Sequence, residues 1–151
     1  MSMMSPFLHI AAASADALVK LRVAEAALSQ TPQVNLSTEH ILHGGMYART
    51  IRLAPGVIIT GALIKIATVL VFSGHADVLI GDEWAEFNGY GVIAASAGRK
   101  QAFVTRSNVE LTMIFPTQAK TVEEAEAEFT DEANLLLSRR STRDIVVITG
   151  E

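Results

Sequence analysis

The sequence predicts a mainly β fold: a small barrel or sandwich of short strands, with one helix before it and helices after it. Three observations predict this. Between residues 46 and 116 the chain is a string of short β-type segments separated by glycine-containing turns, the spacing expected of an all-β sandwich or barrel. Ahead of that run, a stretch rich in Ala and Leu carries Leu18, Leu21 and Leu28 at helical spacing. Behind it, Thr121 and Glu124 form the Thr-x-x-Glu pattern of a capping box, which satisfies two backbone donors at a helix start.

Each element follows in order. The first zone, residues 1–45, reads as one helix to about Gln30, entered after Pro6, and then a linker around Pro32. The second zone, residues 46–116, starts with an alternating segment at 47–53 that ends at Ala54-Pro55-Gly56. Residues 57–72 form a long apolar stretch rich in Val, Ile and Thr, bent near Gly61 and closed by a turn at Ser73-Gly74. Further segments follow at 76–80, 84–87, 91–95, 101–105 and 109–115, separated by turns at Gly81-Asp82, Asn88-Gly89, Ala97-Gly98 and Ser107-Asn108. The third zone, residues 117–151, holds the helix capped by Thr121, with acidic residues in its first turn where the helix dipole favours them. Thr130 stands where it can cap a second helix carrying Leu135, Leu136 and Leu137, with Arg139 and Arg140 at its C-terminal end. Residues 144–149 read as one more strand, on a sheet edge. The three zones together make one globular domain.

Composition narrows the function. A chain of 151 residues is one domain, and 50% hydrophobic with 19% charged residues excludes general disorder. A net charge of −4 lacks the footprint of general nucleic-acid binding. The absence of cysteine excludes disulfides, cysteine-based zinc sites and thiol nucleophiles. No basic residue precedes Lys20, so no secretory signal is expected, and residues 57–72 are too short for a membrane span and contain Lys65. A cytoplasmic protein is the expectation. So much apolar surface with so little charge also calls for a second covered face or a partner.

Candidate chemistry is sparse. His40 and His43 stand three apart just before Gly44-Gly45, a spacing that on a helix would place both on one face. No third ligand lies near them, and they read as ordinary surface or capping histidines. His75 falls in a turn and His9 in the N-terminal helix. There is no Gly-x-Ser-x-Gly elbow, no Gly-x-Gly-x-x-Gly and no Walker sequence. Glu123, Glu124, Glu126 and Glu128 read as a solvated helix face, and Asp82, Glu83 and Glu86 as a solvated hairpin. Arg99-Lys100 reads as a charged loop tip able to bind an anion.

Four features share one rhythm: the Pro55-Gly56 turn, the strand ending Val71-Phe72-Ser73-Gly74, the hairpin at 76–81, and the stretch from Gly89-Tyr90-Gly91 to Ala97-Gly98. In these, residues 46–116 resemble the cupin family of small jelly-roll barrels. The resemblance implies a cupin-type jelly-roll barrel with an N-terminal helix and C-terminal helices. Catalytic cupins hold a metal with a His-x-His pair, a Glu and a later His; the resemblance places these positions on Ala62, Ile64, Thr68 and Gln101. Ala, Ile and Thr are not side-chain metal ligands and Gln is a weak one, so no metal and no cofactor is expected there. By strand parity Ala62, Ile64, Ile66, Thr68 and Leu70 share one face, which reads as packed core. Leu63, Lys65, Ala67, Val69 and Val71 share the other, mostly apolar too, which asks for a cover from the chain's own helices or a second subunit. The whole chain is also similar to small cupin-like proteins of tailed bacteriophages, through Tyr47-Ala48-Arg49-Thr50-Ile51 and the tail from Thr121 to Glu132; that similarity implies the host cytoplasm or a virion.

Three functions follow from these readings. The first is a non-enzymatic, metal-free homo-oligomer, a dimer above all, acting through protein contacts as a virion-associated or accessory protein. The second is a small-molecule binder at the barrel mouth, with Tyr47, Arg49, Arg99 and Gln101 as polar contacts around an apolar pocket. The third is an enzyme: a sugar epimerase or isomerase, or a metalloenzyme using His40 and His43. The epimerase needs an inward base with a Tyr or Asp partner. The register supplies no inward histidine and puts Lys65 on the opposite face, so no catalytic residue is assigned. No nucleic acid and no membrane is expected as a partner.

Overall fold

The computed structural model describes residues 9–31, 36–136 and 144–151. Among them, nine strands and two α-helices follow in the order β1 (His9–Ile10), α1 (Ala15–Leu28), β2 (Thr38–His43), β3 (Met46–Leu53), β4 (Ile58–Thr60), β5 (Thr68–Ile80), β6 (Glu83–Ala95), β7 (Gln101–Thr105), β8 (Val109–Pro116), α2 (Val122–Phe129) and β9 (Ile145–Ile148). A one-turn 3₁₀ segment, Ala133–Leu135, follows α2.

The strands form one sheet in the order β1-β6-β5-β8-β3-β2-β9, with β7 branching from β5 and β4 from β7. The long strand β5 makes this possible. It pairs with β6 along its whole length on one side; on the other, residues 69–73 pair with β8 and residues 76–80 with β7. Alternate residues of every long strand point to one interior, so Leu70, Phe72, Phe87, Ile93, Met113, Phe115 and Tyr47 join in a single core. The sheet therefore wraps around one core in the manner of a jelly roll. It does not close, because β1 and β9 end the strand order unpaired to one another. The mainly β, barrel-like expectation holds in this open form.

Several expectations change. Ser73-Gly74 and Asn88-Gly89 are not turns: β5 and β6 run through them, with Gly74 paired to Gly89. Gly74 sits where β5 changes partner, at φ 129°, and a Cβ there would overlap the Asn108 carbonyl oxygen. A glycine is required by backbone approach rather than by a reversal of the chain. The long segment from residue 57 to 72 is likewise interrupted: β4 ends at Thr60, and residues 61–67 are held to the sheet by the Ile64–Arg99 bridge and by the Gly61 amide, which donates to the Gln101 carbonyl at 3.0 Å.

At the N-terminus, α1 starts after Ser14, whose hydroxyl accepts from the Ala17 amide at 3.1 Å, and not after Pro6. His9 lies instead in β1, paired in parallel with β6. The expected linker contains β2, joined to β3 by Gly44-Gly45 at φ 62° and 72°. Positive φ at both central residues is what a two-residue hairpin of matching twist requires.

In the third zone α2 forms as predicted. Thr121 accepts from the Glu124 amide at 3.2 Å, while the Glu124 carboxylate reaches back to the Lys120 amide, one residue short of the usual box. Thr130 accepts from the Glu132 amide, but only the 3₁₀ turn follows, not a second α-helix. Leu137, Arg139 and Arg140 lie outside the described residues. The predicted edge strand is β9, parallel to β2. No described helix is long and apolar enough to cross a membrane.

Candidate functional site: a cavity inside the barrel

The inward faces do not meet everywhere. They border an open-mouthed cavity of about 500 Å³, within the size range of small-molecule sites. Its sheet walls carry Ile51, Leu70, Phe103, Leu111 and Met113; Ala62 and Ile64 add the irregular segment after β4. Helix α1 contributes Arg22 and Glu25, and the chain after β8 contributes Phe129, Glu132 and Leu136. Residues 61–67 are not strand; Ala62 and Ile64 nonetheless pack against the core, as expected, and in addition border the open space.

The polar groups on this wall come from the start of β7 and from β3, with others from α1, β2, β4 and the chain after α2. Gly98, at φ 83°, turns the chain so that its amide donates to the Ile64 carbonyl at 2.7 Å, and Ile64 donates back to the Arg99 carbonyl at 2.9 Å. This clamp directs Arg99, Lys100 and Gln101 inward, each at most 6% exposed. Arg99-Lys100 is therefore no loop tip. The Lys100 ammonium donates to Glu25 at 2.8 Å and to the Gly61 carbonyl at 2.6 Å. Arg49 pairs with Glu126 at 3.0 Å, and Arg22 with Glu132 at 3.0 Å. Glu126 is 2% exposed, so the expected solvated helix face is broken there by a buried ion pair.

Arg99 differs from the other three cations. Its guanidinium donates to the Ser96 carbonyl at 3.0 Å and to the Thr68 hydroxyl at 2.7 Å, both neutral, and no carboxylate among the described residues pairs with it. Burial pushes its pKa down to about 10. Its Nε is one of two buried side-chain atoms lacking a hydrogen-bond partner among the described residues; the other is the Thr38 hydroxyl. Both residues line this cavity.

Three of the four expected contact residues, Arg49, Arg99 and Gln101, thus line one cavity. Tyr47 stands behind the wall, fully buried, with its hydroxyl 2.7 Å from His40 Nδ1 and accepting from Arg49 at 3.4 Å. Burial pushes its pKa up to about 12. Of the positions the cupin resemblance assigns to metal ligands, Ala62, Ile64 and Gln101 border the cavity, and Thr68 accepts from Arg99. Among the described residues no three His, Asp or Glu side chains come together in a set that could hold a metal ion.

The histidines also move. His40 and His43 lie on a strand, not a helix, so a spacing of three sends them to opposite faces: His40 is buried and His43 exposed. His40 is an inward histidine after all, set between Tyr47 and Asp144, whose Oδ2 is 3.1 Å from Nε2. Both ring nitrogens are engaged, and the ring is not part of the cavity wall. His75 lies within β5 and pairs with Glu86 across the β5–β6 ladder. The residues missed from sequence are Arg22, Glu25, Glu132 and Thr38. Their partners are distant in the chain, and no local spacing marks them.

Solved structures similar to this chain include the cupin domain of a transcriptional regulator from Enterobacter cloacae, at 16% identity and TM-score 0.45, over 55% of this chain and 99% of that one. A cupin superfamily protein from Desulfitobacterium hafniense follows at 12% identity and TM-score 0.46, over 62% and 87%. A cupin-2 domain from Rhodospirillum rubrum gives 10% identity and TM-score 0.47, over 60% and 68%. These are distant likenesses. No protein-family model matches the sequence, and no curated protein does.

Proposed function

We propose that this chain is a small-molecule-binding barrel whose ligand occupies the interior cavity. The observation that carries this is the open space of about 500 Å³, lined by apolar side chains and by polar groups that converge on it from α1, β2, β3 and the start of β7. Apolar walls with a few fixed polar groups are the usual composition of such sites, the first giving affinity and the second orientation. The test is equilibrium binding of the neutral dye Nile red. Saturable binding at one site per chain is expected, and Ala62→Phe, which puts an aromatic ring into the space, removes it. Binding that is absent, or unchanged in Ala62→Phe, sinks the reading.

A second reading, self-association, rests on a different surface. One outward row crosses six strands: Ala94, Val69, Ile114, Ala48, Ile41 and Val147 are successive ladder partners from β6 to β9. Val69 and Ile41 are each 44% exposed, and no described helix covers them. A continuous apolar row on a sheet face is what a second copy packing face to face would bury. Sedimentation analysis tests this: a dimer is expected, and Ile41→Lys dissociates it. A monomer at high micromolar concentration refutes it.

A further inference from the structure

We infer that the cavity ligand is a monoanion with an apolar body, a small carboxylic acid in its ionised form, held by the charge of Arg99; this rests on the cavity being a binding site. The charges around the cavity set the sign. Arg22, Arg49, Arg99 and Lys100 line it. Glu132, Glu126 and Glu25 pair with Arg22, Arg49 and Lys100 respectively. That leaves one positive charge, Arg99, 1% exposed and bonded to neutral acceptors only, the Ser96 and Ile66 carbonyls, the Thr68 hydroxyl and the Met113 sulfur. A buried cation without a counter-charge is costly, and a bound anion removes that cost.

The hydrogen-bond inventory points the same way. The two buried polar side-chain atoms without partners among the described residues, Arg99 Nε and the Thr38 hydroxyl, both belong to wall residues of this one cavity. Native proteins leave few such atoms, and their coincidence in one cavity marks it as a place built for a polar guest. Much of the rest of the wall is apolar, beside the neutral polar groups of Thr60 and Gln101. Ile51, Ile64, Leu70, Phe103, Leu111 and Met113 offer the guest only apolar contact. A single uncompensated charge matches a monoanion; a dianion would bring one charge too many into the same space.

The experiment is calorimetric titration of the full-length chain at neutral pH with octanoate and with octanamide, its uncharged counterpart. Octanoate is expected to bind roughly 5- to 10-fold more tightly, the difference between a hydrogen bond to a charged group and one to a neutral group. In Arg99→Met that ratio falls to about one while octanamide still binds. Equal affinities in the unmodified chain overturn the anion inference and leave the cavity reading standing, provided Nile red binds. Failure of octanoate, octanamide and Nile red alike overturns both. Because the ratio is read on the unmodified chain, the test survives a variant that does not fold.

Discussion

Replacing Ala62 by leucine distinguishes an open barrel from a filled one by the sign of a single number. Ala62 is half-buried and borders the cavity. Leucine adds three carbons; at about 0.8 kcal/mol per buried methylene the ceiling is about 2.4 kcal/mol of stabilisation. Ordering the longer side chain returns about 0.5–1 kcal/mol, leaving about 1.5 kcal/mol. For a domain of this size that is a rise in Tm of roughly 3–6 °C. If the interior were packed, the same three carbons would force neighbours off their rotamers and cost about 1–3 kcal/mol. The control is Ala76→Leu, since Ala76 is fully buried in the core and does not border the cavity. Thermal unfolding followed by circular dichroism should show Tm rising for Ala62→Leu and falling for Ala76→Leu. A fall for both would refute the open cavity and with it the binding reading.

The other predictions concern the groups behind the wall. Tyr47 is the pH-sensitive one. Its folded pKa of about 12 exceeds the ordinary value of 10.0, so the folded state holds the proton longer than the unfolded chain. Its contribution to stability is constant below pH 10 and falls between about pH 10 and 12, by up to about 3 kcal/mol, and urea unfolding in that window should show Tyr47→Phe without this loss. Glu126→Ala removes one partner of the buried Arg49–Glu126 ion pair and should cost about 3–5 kcal/mol, read from the shift in urea midpoint. Gly74→Ala should destabilise by well over the ~1 kcal/mol expected for Gly81→Ala, because both have positive φ but only Gly74 is pressed against backbone, the Asn108 carbonyl. His40→Leu removes the contact to Asp144, which also accepts from the Thr38 amide, so hydrogen exchange along the β2–β9 pairing should accelerate while the β5–β6 pairing keeps its protection.

What was legible in the sequence depended on how local its cause was. The cap at Thr121 is a matter of four residues and could be read directly. The run at 145–148 is uniformly apolar and β-branched, and its edge position followed. Ser73-Gly74 and Asn88-Gly89 misled because a glycine that permits a turn and a glycine that relieves a close backbone approach look alike in one dimension; only the register that pairs them tells the two apart. The hairpin signal Gly44-Gly45 was present, but the histidines beside it drew attention to a helix that β2 replaces. In the sequence, Lys100 and Glu126 look solvated because charged residues usually are. Their burial is decided by Glu25, 75 positions from Lys100, and by Arg49, 77 positions from Glu126. Separations of that length leave no periodic trace.

The apolar excess of the chain takes on a different meaning once its position is known. A domain that is 50% hydrophobic has apolar side chains to spare for its core, yet this one leaves about 500 Å³ of its interior unfilled. The surplus sits instead on two surfaces that face nothing in the described chain: the cavity wall and the outward row from Ala94 to Val147. The row is bounded. Two residues along each strand, the ladder reads Val92, Val71, Thr112, Thr50, Glu39 and Ile145; two further it has Tyr90, Ser73, Glu110 and Arg52, with Arg52 bridging Glu39 and Glu110 at 2.8 Å each. Random apolar excess would not fade into salt bridges within two rows. The cavity is bounded in the same way, its apolar wall meeting ion pairs at Arg22–Glu132 and Lys100–Glu25. Polar margins around an apolar centre are the pattern of a contact surface, inside the barrel for a small guest and outside it for a second sheet.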